Sequence, residues 1–119
     1  MKKIYFLKNC STCLRIIKEI NPSSDFIFQD LKTKSLTSEQ LESLYNFTNS
    51  YEALFNKRAK LYKEMGLRNN NLQEQDYKHY LLQHYTFLKR PVIVIDTSVF
   101  IGNSKKVVTS ITKHIAQLK

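Results

Sequence analysis

The sequence has no tryptophan, only two glycines and two prolines, only two cysteines, and no long hydrophobic run. Two glycines and two prolines in 119 residues exclude a collagen-like or low-complexity chain. The longest apolar stretches fall far short of the roughly eighteen residues that span a bilayer as a helix, so no membrane-crossing segment is expected. The start, Met1-Lys2-Lys3, is followed by only Ile4 to Leu7 before Lys8 interrupts, too short for the apolar part of a signal peptide. A cytoplasmic protein is the expectation. Two cysteines cannot build a four-cysteine zinc site, and in a reducing compartment they are better suited to redox or metal chemistry than to a structural staple. Acidic residues are also scarce. Ten Asp and Glu against nineteen Lys and Arg leave a net charge of +9, which attracts oxyanions, nucleic acid or acidic proteins without choosing among them.

What is present suffices for one folded domain. The chain is 42% hydrophobic with seven Phe and seven Tyr, and one domain takes roughly 100–200 residues. Lys3 to Leu7 is short and apolar, the pattern of a buried strand. The period then changes: Cys13, Ile16, Ile17 and Ile20 recur at three- and four-residue spacing, which predicts a helix from about Ser11 to Ile20, ended by Asn21-Pro22. Asp25 to Gln29 reads as a second strand, set parallel to the first by a right-handed crossover. From Asp30 to about His84 the pattern is helical. Thr37-Ser38-Glu39-Gln40 is a capping-box signature, Tyr51 to Met65 a second helix stopped at Gly66, and Gln73 to Tyr85 a third. Val92 to Ile95 is the strongest strand signal. Asp96-Thr97 then forms a hairpin connection to Ser98–Ile101. Ser104 can cap a last helix with Val107, Val108, Ile111, Ile115 and Leu118 as its apolar stripe. The expected fold is α/β: a β-α-β unit, a helical insertion at about 36–85, then β-β-α, with the core in about 1–35 and 86–119 of a single domain.

The two cysteines sit where that layout gives them chemistry. Cys10 lies at the turn from first strand to first helix, where free N–H groups and the helix dipole favour an anion and so lower a thiol pKa. Cys13 is one turn along, placed to resolve a sulfenate or mixed disulfide at Cys10. The plainer alternatives are a small buried Cys13 packing beside Ile17 with an inert Cys10, or half of a metal site. His79, His84 and His114 have no recognised ligand spacing relative to the pair, so no metal is expected. Pro91 directly precedes a strand: a cis Arg90–Pro91 bond would turn the backbone toward the sulfur, whereas a trans one would simply open an edge strand. Arg58, Arg90 and Lys8 are candidates to bind an oxyanion or stabilise a thiolate; each taken singly also suits a solvated surface. The lysines, from Lys2 to Lys119, are scattered along the chain without a compact basic stripe interleaved with aromatics, so direct nucleic-acid binding is not expected.

Asn9-Cys10-Ser11-Thr12-Cys13, Ala53-Leu54-Phe55-Asn56-Lys57-Arg58, Lys63-Glu64-Met65-Gly66-Leu67, Leu88-Lys89-Arg90-Pro91-Val92 and Ile101-Gly102 resemble, in this order and spacing, the arsenate reductase-like (ArsC) family. That family includes glutaredoxin-dependent arsenate reductases, thiol reductases without an assigned substrate and the Spx transcription regulators. The resemblance covers nearly the whole chain. It implies a thioredoxin-like fold with a helical insertion, Cys10 as catalytic cysteine, Arg58 and Arg90 as oxyanion contacts, and Pro91 as the family's cis-proline. Two departures matter. Arsenate reductases carry a third arginine shortly after the Ile-Gly turn, where this chain has Asn103-Ser104-Lys105-Lys106, and Lys105 offers a point charge without the bidentate fork. One-cysteine arsenate reductases also lack a counterpart of Cys13, whereas Spx regulators carry the pair. The resemblance implies a thiol oxidoreductase with no bound cofactor, reduced by glutathione, glutaredoxin or thioredoxin; a small basic domain of this size is most simply a monomer. The alternative is an Spx-like redox switch that binds RNA polymerase.

Overall fold

A computed structural model describes residues 1–118; Lys119, last of the scattered lysines, lies outside them. The strands are β1 (Lys2–Phe6), β2 (Ile27–Asp30), β3 (Val92–Ile95) and β4 (Ser98–Ile101). The helices are α1 (Ser11–Ile20), α2 (Ser38–Thr48), α3 (Lys60–Glu64), α4 (Glu74–Gln83) and α5 (Lys105–Gln117). They fall into two compact units, residues 1–34 with 90–119, and residues 35–89.

The first unit is a four-stranded sheet in the order β2-β1-β3-β4. β1 runs parallel to β2 and antiparallel to β3, with Ile4 opposite Phe28 on one side and Ile93 on the other. β4 returns antiparallel to β3 through the two residues Asp96 and Thr97. Asp96 takes a positive φ of 53° there, a conformation Asp tolerates better than most residues. Period two along the strands and 3.6 along the helices bring the apolar residues together. Ile4, Phe6, Ile93 and Ile95 of the sheet meet Cys13, Ile16 and Ile20 of α1 and Ile111 and Ile115 of α5. Each large aliphatic chain so buried contributes about 1.5–3 kcal/mol before entropy is charged. Leu118 does not join the stripe: α5 ends at Gln117 and Leu118 stays 49% exposed.

β2 begins later than its sequence predicts. Ser23 Oγ bonds to the Asp25 carboxylate and Phe26 N–H donates to the Ser23 carbonyl at 3.2 Å, so a turn occupies the residues expected to open the strand. β2 is an edge strand, with Ile27 and Phe28 exposed.

The second unit starts with the capping box as expected: Thr37 Oγ1 accepts from Gln40 N–H at 3.0 Å, and Gln40 Oε1 accepts from Thr37 N–H at 3.1 Å. The predicted helix over Tyr51–Met65 is broken. A single 3-10 turn covers Glu52–Leu54, Phe55 is extended, and α3 resumes only at Lys60. The reason is long-range backbone pairing. Asn56 N–H donates to the Phe87 carbonyl at 2.7 Å and Lys89 N–H to the Leu54 carbonyl at 2.9 Å, with Phe55 and Leu88 bridged between them. These bonds also draw residues 86–89 into the helical unit, whereas the sequence pattern resumes the core at about 86. Gly66 follows α3 at φ 65°, the left-handed position that favours glycine. α4 spans Glu74–Gln83, and His84, expected within it, lies beyond its end. Phe55 is the centre of this unit's core, within 5.0–5.7 Å of the rings of Phe87, Tyr77 and Tyr62.

Among the described residues no helix is long and apolar enough to cross a membrane.

A candidate thiol site at the start of the first helix

The site is assembled from three adjacent pieces of the sheet unit: the turn after β1, the first turn of α1 and the segment entering β3. Leu7 is buried, and Cys10 N–H donates to its carbonyl at 3.1 Å, which closes a tight turn between strand and helix. Cys10 is the N-cap of α1, in extended conformation, and its carbonyl accepts the first helical bond from Leu14 N–H at 3.1 Å. Its side chain caps nothing. The sulfur is therefore left beside the free N–H groups of the first turn. Cys10 is half-buried and Cys13 fully buried, and both are free thiols.

These surroundings push the two thiols in opposite directions. Burial raises the Cys10 pKa, but the Cys13 N–H and thiol, the positive charge of Arg90 and the Thr12 N–H outweigh it, and the net shift is downward. Burial dominates at Cys13: together with its hydrogen bond and charge interaction with Cys10 it pushes that thiol from 9.0 up to about 11, against the opposing effects of the Leu7 backbone and Arg90. One thiol is poised to be an anion while its neighbour keeps its proton.

The Arg90–Pro91 peptide bond is cis. Pro91 is buried and its carbonyl accepts from Gly102 N–H at 3.0 Å, so the end of β4 is tied to the start of β3. Gly102 has φ 95°, which an L side chain would adopt only with strain. Arg90 is half-buried and is the cation that acts on both thiols. Lys8 is exposed, with its backbone N–H on Asp30 Oδ1 at 3.3 Å. Arg58 is exposed in the helical unit, its N–H donating to Asn56 Oδ1 at 3.0 Å. Asn103, Lys105 and Lys106 are exposed at the start of α5. Sequence reasoning did not single out Thr12 or Leu7, whose backbones bond to the thiols of Cys10 and Cys13; for Thr12 the signal was available, because the second residue of any helix carries an unbonded N–H. Among the described residues no three His, Cys, Asp or Glu side chains are grouped to hold a metal ion.

The ArsC family model matches residues 5–111, which includes both cysteines, Arg58, Arg90 and Pro91. The chain belongs to the ArsC family. No curated protein matches it in sequence. Among solved structures this ArsC-family chain is similar to the arsenate reductase from Vibrio cholerae, at 21% identity and a TM-score of 0.76, covering 92% of this chain and 96% of that one. It is also similar to an arsenate reductase (ArsC) related protein from Brucella melitensis, at 22% identity and a TM-score of 0.70, covering 92% of each. The likeness at these identities is one of fold, and the fold is thioredoxin-like.

Proposed function

We propose that this ArsC-family chain is a thiol-dependent oxidoreductase of the arsenate reductase-like kind, with Cys10 as nucleophile and Cys13 as resolving thiol. The observation that carries the reading is the opposed environment of the two thiols at one helix start, Cys10 lowered and Cys13 raised. A thiolate is the attacking species, and the proton held by the second thiol keeps it from competing until the first has reacted. The Cys10 thiolate attacks a disulfide sulfur, expelling the other sulfur as a thiolate, or the arsenic of an arsenate-like oxyanion, expelling one oxygen as water. Cys13, losing its proton as it attacks, then displaces the bound group and leaves a Cys10–Cys13 disulfide. Two electrons pass to the substrate, and an external thiol such as glutathione, glutaredoxin or thioredoxin returns them. Arg90, which lowers the Cys10 thiol, serves as an oxyanion contact; the family correspondence implies the same role for Arg58 and that of the cis-proline for Pro91. The absence of an arginine at Asn103 to Lys106 favours a disulfide substrate over efficient arsenate reduction. A reducing cytoplasm suits the free thiols.

The test is alkylation of Cys10 against pH, followed by turnover with arsenate and with a disulfide. A Cys10 midpoint below the ordinary thiol value, moved upward in Arg90→Met, together with turnover lost in Cys10→Ser, is the expected result. A midpoint at or above the ordinary value, or turnover retained in Cys10→Ser, sinks the reading. A redox-switched regulator that binds RNA polymerase is the second reading, favoured by the hydrogen bond between the two thiols, which holds them together for an oxidant such as a peroxide to close into a disulfide by taking two electrons as two protons leave. Failure to retain polymerase in both oxidised and reduced states eliminates it.

A further inference from the structure

The outer side of α1 is not used by the thiol chemistry described above. Cys13, Ile16 and Ile20 face the core, so at 3.6 residues per turn Ser11, Leu14, Arg15 and Lys18 share the opposite side, and all four are exposed. Leu14 keeps 45% of its surface open, one helical turn from Cys10. Lys8 is exposed on the turn that leads into Cys10. Among the described residues Lys8, Arg15 and Lys18 form no ion pair; the five pairs present all use other cations. A lone exposed leucine is ordinary. An exposed leucine beside a reactive thiol and among three cations has the make-up of a small docking patch, an apolar centre with a charged rim.

We propose that this face of α1 docks an acidic protein bearing a redox-active dithiol, with Leu14 as the apolar contact and Lys8, Arg15 and Lys18 as the rim that selects negative charge. The inference rests on the thiol-oxidoreductase reading and names the partner class for the same site. A partner thiolate attacks Cys10 Sγ of the oxidised chain, the Cys10–Cys13 bond breaks, and Cys13 leaves with the electron pair and takes up a proton. The partner's second thiol, losing its proton, then attacks the mixed disulfide and releases Cys10 as the thiolate. The partner ends as a disulfide and the chain has gained two electrons. Charge complementarity favours an acidic surface, and a protein meets the leucine and delivers a thiol to Cys10 where a phosphate backbone does neither.

The experiment measures the rate of reduction of the Cys10–Cys13 disulfide by three dithiol probes: a glutamate-rich two-cysteine peptide containing leucine, a serine-rich two-cysteine peptide of equal length, and uncharged dithiothreitol. The acidic peptide is expected to be the faster of the two peptides, with the advantage falling as salt rises. Reversing both Arg15→Glu and Lys18→Glu should slow the acidic peptide by about tenfold and leave dithiothreitol unchanged. Leu14→Ser should slow the acidic peptide even at high salt. Lys63→Glu with Arg68→Glu alters net charge equally in the helical unit and should have no such effect. Equal rates for the two peptides, or equal slowing by both double variants, overturns the docking face while dithiothreitol still reports an intact redox pair. A disulfide that never forms overturns the oxidoreductase reading and this inference with it. Binding of a short DNA duplex that Arg15→Glu with Lys18→Glu abolishes reassigns the face to nucleic acid and overturns the protein partner.

Discussion

The two units of the chain differ in charge and in what fills their cores. Residues 1–34 with 90–119 hold twelve Lys and Arg against four acids, whereas residues 35–89 hold seven against six. Nearly all of the +9 therefore belongs to the sheet unit. The helical unit neutralises itself locally: Glu42 bonds Tyr51 and pairs with Lys78, Glu52 pairs with Lys57, and the Glu74 carboxylate caps the N–H groups of Tyr51 and Glu52. In the sheet unit the outward cations of α1 and α5 (Arg15, Lys18, Lys105, Lys106 and Lys113) have no such partners among the described residues. The cores differ in the same way. One is aliphatic, built on isoleucines at strand and helix periods; the other is a cluster of rings about Phe55. The unit that carries the thiols thus presents positive charge outward, while the other spends its charges on holding an irregular backbone in place.

The largest effect expected is chemical and confined to the sheet unit. Cys10→Ser should remove thiol turnover altogether with the circular dichroism spectrum unchanged, since the half-buried side chain caps nothing and serine is close to it in size. Next come the cores. Phe55→Ala should cost about 3–5 kcal/mol and Ile93→Ala about 2–5 kcal/mol, read as lowered denaturant midpoints. Hydrogen exchange should show protection lost first among amides 35–89 in the former and among the strands in the latter. Loss spread evenly over both units in either variant breaks the comparison. A smaller effect concerns pH. The folded state holds the Cys13 proton up to about pH 11, whereas the unfolded thiol loses it near its ordinary value. The resulting stabilisation is complete below that ordinary value and is lost as pH rises toward 11. Stability of the reduced protein, followed by urea titration across this range, should therefore fall more steeply than that of Cys13→Ala. The smallest effect sharpens the account of the helical unit: Thr37→Ala removes one half of a reciprocal cap and should cost about 1 kcal/mol.

The elements that could be read from the sequence are those whose stability is local. The α1 stripe, the Thr37 and Ser104 caps and the β-branched run Val92–Ile95 each declare themselves within a few residues. The Tyr51–Met65 helix failed because its residues have adequate helical propensity and nothing nearby forbids a helix. What breaks it is pairing with Phe87, Leu88 and Lys89, some thirty residues away. β2 shifted because a side chain, Ser23, found a carboxylate two residues on. At the site, the positions of Cys10 and Cys13 at a strand-to-helix turn were legible, and so was the expectation of a lowered Cys10. The backbone contact of Thr12 followed from its place as the second residue of the helix, whereas that of Leu7 and the choice of Arg90 as the acting cation were not legible.

The sequence by itself determined the order of the secondary elements, the location of both thiols at one helix start and the excess of positive charge, because periodicity, capping and composition are local properties of the chain. The tertiary structure decided which thiol keeps its proton, where the helical segment breaks and on which surfaces the scattered cations gather. Burial, long-range hydrogen bonds and the field of Arg90 arise only when distant segments meet.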